Sequence, residues 1–188
     1  MRPLLIVVLI VLAGCATRPG LNSMEWNLVN APPNGTPAPV VEKGQLILSG
    51  RAVRSSGTYA APVTIECRLQ PPQASTNGTF YIDLVPEGQP ATALPSDYLG
   101  IELMHGQALH VWLSHGGQPT PLIKPVSVRV DADGGYKLAV EVRRDGFGVR
   151  VNGEAVTVDQ AVPFDEFRIE LRTFPPSSSW RVSDFAIH

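Results

Sequence analysis

The chain has 188 residues, with 15 basic against 17 acidic side chains and a net charge of −2. That is enough chain for one domain with a real core, and its mildly acidic balance gives no electrostatic footprint for nucleic acid or an anionic membrane surface. Two cysteines, eighteen prolines and seventeen glycines bound the rest: few cross-links and many turns.

Residues 1–15, MRPLLIVVLIVLAGC, place Arg2 before an uncharged apolar stretch, Leu4 to Leu12, that is too short to span a bilayer as a mature helix. Small residues then lead into Cys15. The run Leu12-Ala13-Gly14-Cys15 resembles the lipobox of a bacterial lipoprotein signal peptide. That resemblance implies cleavage of residues 1–14, lipidation of Cys15 and membrane anchoring by several acyl chains. By the same resemblance, Ala16 rather than Asp after the cysteine implies the outer membrane, with the protein facing the periplasm or the surface. An ordinary secretory signal or a buried strand is the alternative. Loss of Arg2 would take the net charge to −3. Residues 15–23 read as the lipidated cysteine and its tether, and residues 24–188 as one domain.

No run of ten or more residues beyond the leader has helical periodicity. Short stretches rich in Val, Ile, Leu and Phe, separated by Pro and Gly, predict an all-β sandwich or barrel. Loops are expected at 31–39, 71–78, 86–95 and 116–121. In Val63-Thr64-Ile65-Glu66-Cys67-Arg68-Leu69, Cys67 shares the apolar phase, so it reads as a buried inert thiol rather than a nucleophile. Lipidation of Cys15 would leave it without a disulfide partner.

The segment 98–114, YLGIELMHGQALHVWLS, predicts a hairpin with a three-residue loop, His105-Gly106-Gln107. That loop pairs Leu103 with Leu109, Ile101 with Val111 and Leu99 with Leu113; a two-residue loop would mix the faces. Tyr98, Glu102, Met104, His110 and Trp112 then share the other face. In 136–156, YKLAVEVRRDGFGVRVNGEAV, Asp145-Gly146 suggests a two-residue type I′ turn that sets Val142 opposite Val149 and Glu141 opposite Arg150. Asn152-Gly153 suggests a second such turn. A further hairpin turn is expected at 131–135, between 126–130 and 136–142.

Trp26-Asn27-Leu28-Val29, Gly44-Gln45-Leu46-Ile47-Leu48, the 136–156 meander and the closing run Trp180-Arg181-Val182-Ser183-Asp184-Phe185-Ala186-Ile187 together resemble the concanavalin A-like lectin/glucanase superfamily. The layout is similar to its laminin-G-like and 3-keto-disaccharide hydrolase branches and covers about residues 24–188. It implies a jelly-roll β-sandwich, often with a glycan-binding sheet face, although fold alone does not confer function. Trp26 and Trp180 are expected in the core, where the terminal strands pair.

The laminarinase-type hydrolases of that superfamily carry an E-x-D-x-x-E or E-x-D-x-E strand, absent here. The alginate-lyase branch carries R-x-E-x-R and Q-I-H strands, and the expectation is that both are missing. Glu66, Asp83 and Glu102 lie on polar strand phases and are candidate catalytic carboxylates, with His110 beside Glu102, if they meet in a cleft. Trp112, Tyr98 and Tyr81 are candidates for stacking on sugar rings, and Glu102, His110, Asp83 and Arg68 for binding hydroxyls. The alternative for each is a solvated strand face or packing under a loop. His105, His110 and His115 do not converge on one metal in the register above. Asp131 and Asp133 suggest a calcium loop, but a turn explains the same residues; no other cofactor is implied. The first reading is a lipid-anchored, non-catalytic carbohydrate-binding protein. A glycoside hydrolase of the 3-keto-disaccharide hydrolase type and a structural or protein-interaction lipoprotein are the rivals. The membrane, through Cys15, and a glycan are the implied partners; nucleic acid is not, and the oligomeric state is open.

Overall fold

The computed structural model describes residues 21, 24–29, 37–72, 78–90 and 95–188. The expected leader and lipidated Cys15 lie outside them. Leu21, placed in the tether by sequence, is 5% exposed and joins the core.

Every described element is a strand, and every pairing is antiparallel. One sheet runs β1 (Trp26–Val29), β4 (Ala52–Ser55), β15 (Glu166–Phe174), β7 (Thr79–Pro86), β8 (Tyr98–Met104), β9 (Ala108–His115), β10 (Gln118–Pro121). The short β5 (Tyr59–Ala60) adds to β15, and β11 (Val126–Ser127) adds to β9. The second sheet runs β14 (Glu154–Val158), β13 (Phe147–Val151), β12 (Tyr136–Val142), β6 (Val63–Gln70), β16 (Ser179–Ile187), β3 (Gln45–Ser49), β2 (Val40–Glu42). Because strand side chains alternate between faces, each strand offers one apolar phase to the space between the sheets. Phe80, Ile82, Leu84, Ile101, Val111 and Ile169 enter it from the first sheet; Ile65, Leu69, Val140, Val149 and Val182 enter from the second. Trp180, fully buried, lies 5.6 Å from Phe80 across the interface and 6.3 Å from Tyr136 on its own sheet.

The 98–114 hairpin has the expected register, with Gly106 at φ +69° in its loop. The Asn152-Gly153 turn also forms, both residues at positive φ, pairing Val151 with Glu154. The Asp145-Gly146 turn does not form. Neither residue has a left-handed φ, and a four-residue loop, 143–146, joins Val142 to Phe147. Val140 therefore meets Val149, and Glu141 faces Gly148 while Arg150 faces Ala139. A slip of two residues keeps every side chain on its expected face, which is why the core is unaffected. Gly146 is needed for space rather than for φ: a Cβ there would lie 2.5 Å from the carbonyl oxygen of Val158.

Three further expectations are corrected. Residues 118–121 form edge strand β10 rather than a loop. The 131–135 turn is not a hairpin, because β11 pairs with β9 in one sheet whereas β12 lies in the other. The terminal strands do not pair: β1 and β16 belong to opposite sheets, and Trp26 meets Phe185 edge-on at 5.6 Å across the core. The closing strand carries a bulge between Ser183 and Ala186, with Asp184 at φ +49°.

Candidate functional site

The outer face of the first sheet carries two adjacent cross-strand rows. Arg54, Glu170, Asp83, Gly100 and Trp112 are successive partners on β4, β15, β7, β8 and β9. One pleat along, Arg172, Tyr81, Glu102 and His110 follow on β15, β7, β8 and β9. Tyr81, Asp83, Tyr98, Gly100, Glu102, Trp112, Pro119 and Arg172 line a cavity of about 240 Å³.

Glu102 is the hub of its aromatic side. One oxygen accepts from the Tyr81 hydroxyl at 3.2 Å, the other from the Trp112 indole N–H at 2.9 Å. The His110 ring stacks on Trp112 at 5.6 Å and 21°, and the Arg172 guanidinium lies 4.2 Å over the Tyr81 ring. Burial, and then the Glu102 charge, push the Tyr81 hydroxyl up to about 12, so it stays a donor at neutral pH. His110 is opposite Glu102 as expected, but the two are not hydrogen-bonded, because Tyr81 and Trp112 occupy the carboxylate.

Asp83 is fully buried. Its Oδ2 accepts from Arg172 at 2.8 Å, whereas its Oδ1 accepts no hydrogen bond among the described residues. Burial pushes its carboxyl up to about 6, against the pull of Arg172 and with a further push from Glu170. Glu170, also fully buried, is held by Arg54 through Nε at 2.9 Å and Nη2 at 2.7 Å. Gly100 lies close against both neighbours: a Cβ there would stand 3.1 Å from Asp83 Oδ1 and 2.9 Å from the Tyr98 ring.

Six sequence candidates thus come together: Tyr81, Asp83, Tyr98, Glu102, His110 and Trp112. Glu66 and Arg68 do not join them, because β6 belongs to the other sheet, so the three-carboxylate cleft is corrected to two carboxylates. On that opposite outer face Glu66, Arg68 and Asp131, with Lys137, Arg150 and Asp184, line a larger cavity of about 590 Å³. It has no aromatic wall, Glu66 bonds His188 at 2.9 Å, and Arg68 is held by Asp131 and Asp133. Asp131 is filled by donors: Arg68 from two nitrogens, plus the N–H groups of Asp133 and Gly135. The Arg68 hydrogen bond, above all, holds the Asp131 carboxyl below its ordinary pKa. The arginine therefore takes the carboxylate that the calcium reading needed, and no group of three metal-ligating side chains occurs among the described residues. His105 instead bonds the Tyr136 hydroxyl at 2.9 Å, and His115 pairs with Asp97 at 2.8 Å.

Sequence reasoning missed Arg54, Glu170, Arg172 and Gly100. One signal was present: Arg168-Ile169-Glu170-Leu171-Arg172 is itself an R-x-E-x-R run, contrary to the stated expectation, although no Q-I-H segment exists. Here its charges are committed to Glu87, Arg54 and Asp83 in turn.

Searches with family models and against curated proteins find no match. Solved structures do match. The carbohydrate-binding module CBM66 from Bacillus subtilis aligns with TM-score 0.64 at 16% identity, covering 87% of this chain and 94% of that one. A legume lectin-like domain from Entamoeba histolytica gives 0.63 at 14% identity, covering 87% and 89%. A β-1,3-1,4-glucanase (lichenase) from a mouse hindgut metagenome gives 0.62 at 15%, covering 86% and 91%. The fold is the concanavalin A-like jelly roll. In jelly-roll terms, the two rows above form the outer face of the sheet that carries β7, β8, β9 and β15. Identities this low extend the likeness to the fold and no further.

Proposed function

We propose that this is a lipid-anchored cell-envelope protein whose jelly-roll domain binds carbohydrate without catalysis, on the face built around Trp112. The observation that carries the reading is one small cavity walled by three aromatic side chains, with the buried, unpartnered Oδ1 of Asp83 beside them. Aromatic rings cover the apolar C–H faces of sugars, and a buried acceptor left unpaired costs free energy until a donor such as a hydroxyl meets it. Carbohydrate-binding and lectin-like domains among the structural relatives support the same class of ligand. The anchor rests on the sequence Leu12-Ala13-Gly14-Cys15.

The domain, residues 21–188, is tested on a broad glycan array with Trp112→Ala alongside. Specific binding lost in the folded variant is expected. A blank array for the folded domain would overturn the reading in favour of a protein-interaction role. Anchoring is tested separately: the full chain should incorporate labelled palmitate, and Cys15→Ser should not.

A glycoside hydrolase is the second reading, favoured by Asp83, with its pKa near 6, sharing a cavity with Glu102. Against it, both Glu102 oxygens are already hydrogen-bonded, and hydrolysis needs two carboxylates free to act on the scissile bond. Release of reducing ends from the bound glycan, abolished by Asp83→Asn, would establish hydrolysis.

A further inference from the structure

We infer that the Trp112 cavity takes a single neutral sugar residue and discriminates against sugars bearing a carboxylate, with Asp83 as the discriminating side chain. The inference rests on the sugar-binding reading above and specifies its ligand class.

The first ground is size. At about 240 Å³ the cavity falls below the roughly 300–1,000 Å³ typical of drug-sized ligands, so it has room for one ring and not a chain.

The second ground is charge. Asp83 and Glu102 line the cavity against one cation, Arg172. Arg172 offsets one of these two charges, with Nη2 on Asp83 and its plane over Tyr81. Just behind them, Arg54 is held by Glu170 and by the carbonyl oxygen of Gln89 at 2.8 Å. A ligand carboxylate would enter a net negative, partly dehydrated site, where like charges repel far more strongly than in water.

The third ground is the kind of polar group left over. Glu102 is satisfied on both oxygens, whereas Asp83 Oδ1 has no donor among the described residues. The cavity therefore asks its ligand for a hydrogen-bond donor, and a hydroxyl supplies one without burying a further charge. Gly100 leaves that oxygen uncrowded, because any side chain there would press on both Asp83 Oδ1 and the Tyr98 ring.

The test is calorimetric titration of the folded domain, at about pH 7.5 so that Asp83 is ionised. Neutral gluco-, galacto- and manno-oligosaccharides are compared with their uronate counterparts, which differ only by oxidation at C6. The neutral member of the binding pair is expected to bind at least about tenfold more tightly. Asp83→Asn should lose roughly ten- to a hundredfold in neutral affinity and narrow the gap between the pair. Gly100→Ala keeps every polar group and carries the test independently; it should lose affinity comparably while its thermal unfolding stays cooperative. Uronates binding as tightly as neutral sugars would overturn the inference, as would wild-type neutral affinity in both variants. If Trp112→Ala still abolished binding in those cases, the sugar-binding function would stand. Binding by no member of the set would remove both.

Discussion

Asp83 and Glu170 stand directly opposite one another on β7 and β15, both fully buried, each with one oxygen held by an arginine and one without a hydrogen-bond partner among the described residues. Two buried carboxylates side by side are tolerated only because each has its own cation. Arg172 serves Asp83 at 2.8 Å and Arg54 serves Glu170 at 2.7 Å.

Breaking the deeper pair should therefore be costly. Arg54→Met keeps the stem volume but leaves Glu170 charged and unpaired, and is expected to destabilise the domain by about 3–5 kcal/mol in urea unfolding. Adding Glu170→Gln should restore part of that loss. An Arg54→Met variant of wild-type stability would show that the pair is not carrying charge compensation.

The pH dependence follows from the raised pKa of Asp83. Its carboxyl titrates near 6 in the folded protein and at its ordinary value of 3.8 when unfolded. Between those values the folded state binds more protons. The contribution of Asp83 to stability is thus fully present below about 3.8 and lost as pH rises to about 6. The melting temperature of wild type minus that of Asp83→Asn should fall over this window and be flat above it. A difference that rises with pH would reverse the sign of the shift.

Gly146 and Gly153 end the two turns flanking β13 for different reasons. At Gly153 φ is +90° with nothing within 4 Å of a Cβ, whereas at Gly146 the obstacle is the Val158 carbonyl. Alanine at Gly146 should cost about 1–3 kcal/mol through crowding. Alanine at Gly153 should cost about 1–2 kcal/mol through its backbone conformation. Asparagine, which tolerates left-handed φ, should be milder than alanine at Gly153 and no milder at Gly146. Denaturant midpoints of the four variants check this.

Cys67 sits in the core, 5% exposed, and burial chiefly, with the Glu66 charge, pushes its thiol pKa upward. In a chain carrying Cys15→Ser, a thiol-reactive disulfide probe should modify Cys67 only as the domain unfolds, at a rate that follows denaturant. Rapid labelling of the native protein would contradict its packing.

Much of the aromatic side of the site was legible in the sequence because it is local. The hairpin of β8 and β9 is closed by three residues, so the turn and the alternation of Leu99, Ile101, Leu103, Leu109, Val111 and Leu113 fix its register. Tyr98, Glu102, His110 and Trp112 then share a face by the period of two. The Asn152-Gly153 turn was readable for the same reason. Asp145-Gly146 misled because the same dipeptide fits a longer loop, and a slip of two leaves the hydrophobic pattern unchanged.

The charged side of the site was settled by the tertiary structure. The partner of Asp83 is Arg172, 89 residues away, and the partner of Glu170 is Arg54, 116 residues away. The alternation Arg168, Glu170, Arg172 showed that these side chains share a face, but strand periodicity is blind to which neighbour that face meets. The sequence by itself determined an all-β chain, the faces of its strands and two of its turns, because these depend on contacts a few residues apart. The order β4, β15, β7, β8 is a choice among long-range pairings made by packing the whole core. That choice put Asp83 against Arg172, and parted both from Glu66 and Arg68.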